Sequence, residues 1–78
     1  MTTKDTVINV FGKIMPGVQV ENLTDIIEGG YMNSFELMEL IMALGEEFGV
    51  EIDLDDMTPE NFNSVDAVAA LVERIKGN

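Results

Sequence analysis

The chain has neither cysteine nor histidine among its 78 residues. Disulfides are therefore excluded, as are thiolate and imidazole metal sites. The same absences remove the thiol nucleophile and the imidazole base, leaving carboxylates as the groups available for proton transfer. Basic residues are scarce too: four stand against 15 acids, for a formal charge of −11. A phosphate backbone would repel such a surface, which argues against nucleic-acid binding. No apolar run approaches the length that spans a bilayer. The opening Met1-Thr2-Thr3-Lys4-Asp5 lacks the apolar core of a secretion signal. The expectation is one small domain, residues 1–78, non-catalytic and cytoplasmic, with no membrane or nucleic-acid partner.

What remains is apolar enough to fold. Hydrophobic residues form 46% of the chain, too many for an acidic disordered tail. Charge is unevenly placed: from Ile14 to Glu73 there are 14 acids and no base. Two readings fit that run. It is a solvated surface kept soluble by its charge, or it is a docking face for basic partners, because a one-sign field steers association.

Helical periodicity dominates. Val7, Phe11 and Ile14, with Val10 and Met15 beside them, predict a first helix over about Thr3–Met15, stopped by Pro16-Gly17. A long connection follows to Met32, its scattered Val18, Val20, Leu23, Ile26 and Ile27 indicating a loop packed on the core, with a helical turn near Asp25–Glu28. Gly29-Gly30 breaks it. Asn33, with Glu36 three residues later, makes a capping-box-like start for a second helix that runs to Phe48 and ends at Gly49. Gly45 inside that helix costs about 1 kcal/mol relative to alanine. Thr58-Pro59-Glu60-Asn61-Phe62 reads as a short third helix capped by Thr58, with Met57 and Phe62 at staple positions. A fourth helix begins after Ser64, with Val65, Val68, Ala69, Val72 and Ile75 as its buried stripe. Val50-Glu51-Ile52-Asp53-Leu54 alternates, but an isolated strand has no sheet partner. The predicted class is all-α, a small bundle of three main helices plus one short helix.

The second helix carries the chemistry. Ser34 falls at its first position, where the helix dipole favours an attached phosphate; serine is also simply a common residue at helix starts. At about 100° per residue, Leu37, Leu40, Leu44 and Phe48 form one face, with Ile41 at its edge. Phe35, Met38 and Met42 form a second apolar stripe nearly opposite, flanked by Glu39 and Glu46. Either neighbouring loops cover that stripe as ordinary core, or it is exposed and made for adaptable contacts, which methionine suits.

The run Asn33-Ser34-Phe35-Glu36-Leu37-Met38-Glu39-Leu40-Ile41-Met42-Ala43-Leu44-Gly45-Glu46-Glu47-Phe48-Gly49-Val50-Glu51-Ile52 resembles the modification site and second helix of the acyl carrier proteins. The resemblance extends over the whole order of elements, and Ile26-Ile27-Glu28-Gly29-Gly30-Tyr31-Met32 is similar to the family's approach to its serine. It implies an acyl-carrier-like fold and a carrier that is not an enzyme. A phosphopantetheinyl transferase would join 4′-phosphopantetheine to Ser34 through a phosphodiester, and the arm's thiol would hold an acyl or aminoacyl group as a thioester. Asn33 would be the neighbouring motif residue and helix cap. Phe35, Met38 and Met42, with the acidic Glu36, Glu39, Glu46 and Glu47, would meet acyl- or aminoacyl-transferring enzymes through their basic patches. The chain would be a stand-alone monomer, its cargo sheltering near Leu44, Phe48 and Ile52. Fatty-acid, polyketide, nonribosomal and lipid-modification pathways all use such carriers. Asn33 stands where the family usually has aspartate, Phe35 is bulkier than the usual leucine or methionine, and Gly45 replaces a commonly acidic position. An unmodified acidic adaptor with the same fold therefore remains the alternative, and a nucleic-acid mimic a weaker one. Asp53-Leu54-Asp55-Asp56 is not an EF-hand: counted from Asp53, Thr58 and Ser64 occupy the positions that require Gly and Glu.

Overall fold

A computed structural model describes residues 2–77. The two ends of the expected domain, Met1 and Asn78, lie outside the described residues. Four α-helices follow one another: α1 (Thr3–Ile14), α2 (Ser34–Phe48), α3 (Pro59–Phe62) and α4 (Val65–Gly77). Among the described residues there is no strand. The all-α bundle of three main helices and one short one is the observed architecture.

Local chemistry explains each boundary. Thr2 caps α1: its hydroxyl accepts from the Asp5 N–H at 3.1 Å while its own N–H reaches the Asp5 carboxylate at 3.5 Å. The helix stops one residue before the expected Met15, which serves as its C-cap ahead of Pro16. Pro59 occupies the first turn of α3, where a missing N–H costs nothing. Thr58 does precede that helix, but its side chain makes no cap bond. Its carbonyl instead accepts from the Asn61 and Phe62 amides at 3.0 and 3.1 Å. The Ser64 hydroxyl takes the Ala67 amide at 3.0 Å and so starts α4.

The core is apolar throughout. Val7, Val10 and Phe11 from α1, with Met15 at its C-cap, join Leu40 and Leu44 from α2, Phe62 from α3, and Val65, Val68, Leu71 and Val72 from α4 in one cluster. Helix α1 packs on both α2 and α4, and α3 packs on α4. Leu71 belongs to the buried stripe of α4, whereas Ala69 and Ile75 are only half-buried and lie against it. The expected stripe was thus centred slightly off its true line.

The long connection is held down as its apolar residues require. Val20 and Ile26 are fully buried, and Leu23, Ile27 and Met32 pack against the core. Val20–Asn22 forms a 3-10 turn absent from the sequence reading. The second turn lies at residues 26–30, slightly later than Asp25–Glu28. The alternating run after α2 forms no strand: Asp53 is extended, and the chain then closes into a 3-10 turn, Leu54–Asp56.

Gly45 now has a cause. After Gly49 the chain folds back, and the Gly49 and Val50 amides both bond to the Gly45 carbonyl. A Cβ at residue 45 would sit 3.0 Å from the Val50 carbonyl oxygen. Glycine permits that close return, which offsets its poor helix propensity.

Candidate functional site

The site is built on the start of α2. Asn33 is extended, and its side-chain oxygen accepts from the Glu36 amide at 2.8 Å. The Glu36 carboxylate returns the bond to the Asn33 amide at 3.0 Å. This reciprocal capping box closes the helix end and leaves Ser34 exposed at its first position. Among the described residues no acceptor meets the Ser34 and Phe35 amides. A helix start with open N–H groups and a positive dipole end suits a phosphate ester on the serine hydroxyl.

The apolar stripe beside Ser34 is not covered. Phe35, Met38 and Met42 are 71%, 47% and 65% exposed, while Leu40 and Leu44 on the opposite face are fully buried. Loops therefore do not turn the stripe into core. Glu39 and Glu46 stand exposed along the same side, and Glu47 is exposed further round. Glu36 differs from them: it is half-buried and spends a carboxylate oxygen on the cap. Tyr31, 45% exposed, adds a second aromatic close to the serine in sequence.

The few cations lie elsewhere. Lys4 pairs with Asp66 across the α1–α4 seam at 3.0 Å, and Lys76 stands 5.4 Å above the Phe48 ring. Arg74 donates to the Asn61 side chain at 3.2 Å. Bases are thereby gathered toward α1 and α4, and the α2 face keeps its negative field.

The sheltering residues are less open than the resemblance implied. Leu44 is fully buried, Phe48 and Ile52 are partly buried against the core, and among the described residues no pocket opens beside them. No group of three or more acids among the described residues is arranged to hold a metal ion, and none of their helices is long and apolar enough to cross a membrane.

One contributor escaped the sequence reading. Asn63, between α3 and α4, binds the loop that leads to Ser34. Its backbone carbonyl accepts from the Ile26 amide at 2.9 Å. Its side-chain oxygen accepts from the Ile27 and Glu28 amides at 2.9 and 3.1 Å, and its side-chain nitrogen donates to the Glu28 carboxylate at 3.0 Å. No local pattern marks it, because its partners lie 35 and 36 residues away.

Comparison with known proteins gives a family. Residues 5–72 match the family described as the phosphopantetheine attachment site. Proteins named D-alanyl carrier protein from Streptococcus equi subsp. zooepidemicus (strain MGCS10565) and Streptococcus equi subsp. equi (strain 4047) are each 25% identical over 77 residues. In both cases the similarity covers 97% of this chain and 98% of the relative.

Proposed function

The chain belongs to the phosphopantetheine attachment family, and from that premise we propose that Ser34 bears the arm and that α2 presents it to basic partner enzymes. The protein is a carrier and not an enzyme, and its cofactor is covalently attached 4′-phosphopantetheine. When attached, that group supplies a thiol able to hold cargo as a thioester.

The observation that carries the assignment is the exposed Ser34 at the start of a capped helix. Attachment requires the Ser34 Oγ–P bond to form as the pyrophosphate P–O bond of coenzyme A breaks. The hydroxyl proton is lost and the nucleotide leaves. An enzyme can reach this hydroxyl without unfolding the chain, because nothing buries it. The product is an anion, which the positive end of α2 favours by about 0.3–1 kcal/mol. Asn33 keeps the cap satisfied and adds no charge of its own next to that anion.

Docking follows from the same helix. Phe35, Met38 and Met42 offer a flexible apolar contact, and Glu39, Glu46 and Glu47 supply charge for Arg and Lys on the partner. Transferases and cargo-loading enzymes would both use this face. Glu36 contributes mainly by holding the cap.

For the cargo, the reading is a small aminoacyl group, the class in the relatives' name. Its support is a similarity running along nearly the full length of both chains. A small polar cargo also travels on the arm without opening the packed interior around Leu44.

The deciding experiment is intact-mass measurement after incubation with coenzyme A and a phosphopantetheinyl transferase. One added arm is expected, abolished by Ser34→Ala while the helical circular-dichroism spectrum is kept. Persistent failure with the cognate transferase would overturn the assignment in favour of an unmodified acidic adaptor.

A further inference from the structure

We infer that Asn63 is a positioning residue for Ser34: it pins the turn at residues 26–30 and so fixes where the serine is presented. This rests on Ser34 being the attachment residue. The geometry supports it from both sides. Toward the loop, Asn63 spends a carbonyl and both ends of its side-chain amide on three consecutive residues, Ile26, Ile27 and Glu28. The turn then closes on itself, with the Gly29 amide reaching the Asp25 carbonyl at 2.6 Å and the Tyr31 amide reaching the Ile26 carbonyl at 3.2 Å. The turn is closed so tightly at Gly29 that no side chain fits there: an added Cβ would lie 2.6 Å from the Asp25 carbonyl oxygen and 2.9 Å from the Tyr31 ring. From Tyr31 only Met32, itself packed against the core, separates the turn from the Asn33 cap.

Away from the loop, Asn63 is held by α3. Its own amide bonds to the Pro59 carbonyl at 2.9 Å. Asn61 in the same short helix donates to the Asp56 carbonyl at 2.9 Å and accepts from Arg74 of α4. A four-residue helix is too short to hold itself, so these bonds and the buried Phe62 fix it. The chain of contacts runs from α4 through α3 and Asn63 to the turn and then to Ser34. The backbone amides of Ile27 and Glu28 depend on the Asn63 oxygen, and an unsatisfied donor there would favour a rearranged turn. A loosened turn frays the first residues of α2, displacing Ser34 from Met38, Glu39 and Met42 further along the same helix, which a transferase also grips, and small misplacements of a reacting hydroxyl are costly in rate.

The test uses the full chain, with coenzyme A, the transferase and amide hydrogen exchange. Asn63→Ala should speed exchange at Ile27 and Glu28 by about tenfold and shift the amide resonances of Tyr31 to Phe35. It should lower kcat for Ser34 modification more than it raises KM. Val72→Ala, a core truncation in α4, is the stability control; it should lower the melting temperature at least as much with less effect on kcat. The Asn63–Glu28 pair allows a swap. Asn63→Asp sets two carboxylates together and should impair modification, and adding Glu28→Gln restores the donor and should recover most of the rate. Equal effects of Asn63→Ala and Val72→Ala on kcat, or no recovery in the double variant, would overturn the proposal. If the wild-type chain takes no arm at all, the reading of Ser34 fails separately. The Tyr31–Phe35 resonances then still decide whether Asn63 positions that residue, and unmoved resonances refute it.

Discussion

Removal of the Asn33 side chain tests the start of α2 most directly. The Asn33 oxygen accepts from the Glu36 amide at 2.8 Å, and no alanine can replace that acceptor. Loss of such a cap costs about 1 kcal/mol, within a range of roughly 0.5–2. For a domain of this size each kcal/mol moves the melting temperature by about 4–8 °C. Asn33→Ala should therefore melt several degrees below the wild type. Its urea midpoint should fall with an unchanged slope, because the core is not touched. Asn33→Asp separates cap from charge. It keeps the acceptor and gains from the helix dipole, about 0.3–1 kcal/mol. Against that, it places a second carboxylate beside Glu36 in a chain already at −11. The two terms are of similar size, so its stability should stay within about 0.5 kcal/mol of wild type at moderate salt. Thermal melts at 222 nm and urea titrations on the three proteins read this out. The reasoning fails if Asn33→Ala melts with the wild type, or if Asn33→Asp loses as much as Asn33→Ala.

Other expectations follow from the two faces of α2 and from the charge. Leu40→Ala should cost about 2–5 kcal/mol by leaving a cavity at a fully buried position, whereas Met42→Ala, two residues on and largely exposed, should stay within about 0.5 kcal/mol of wild type; chemical denaturation compares them. Met38→Asp or Glu39→Lys should weaken binding to a loading enzyme without changing the helical spectrum, and unchanged affinity by calorimetry would sink the docking face. Monovalent salt or magnesium should raise the melting temperature by relieving self-repulsion; a flat response would mean that the acids are too dispersed to matter. Gly45→Ala should destabilise despite its better propensity, because the added methyl meets the Val50 carbonyl; a higher melting temperature would show that the reversal can relax.

Much of this protein was legible because its signals are local. Proline and glycine punctuate the first helix, Asn33 and Glu36 mark the second, and periods of three and four residues sort Leu40 and Leu44 from Phe35, Met38 and Met42. Errors appeared where a local rule met competition. Thr58 looked like a cap, but its carbonyl and not its hydroxyl takes the open amides of α3. Leu71 carries no mark in the sequence over Ala69 and Ile75, which also fit a helical stripe, and only the packing of α1 against α4 selects between them. The Val20–Asn22 turn depends on burying Val20 beneath α1 and α4, which no pattern within the connection announces.

Composition and periodicity by themselves determined the class of this protein: an acidic helical bundle without cysteine or histidine, with a serine at a helix start and an apolar stripe opposite its core. Those properties are set by residues within a few positions of one another. Tertiary structure alone decided whether the stripe is open, why Gly45 stands inside a helix, and what holds the approach to Ser34. Each of these depends on residues distant in sequence brought together by burial: the loops that leave Phe35 and Met42 uncovered, the returning Val50 carbonyl, and the Asn63 side chain. A sequence pattern reports which face of a helix can be buried, and only the packed chain shows which partner, if any, lies against it.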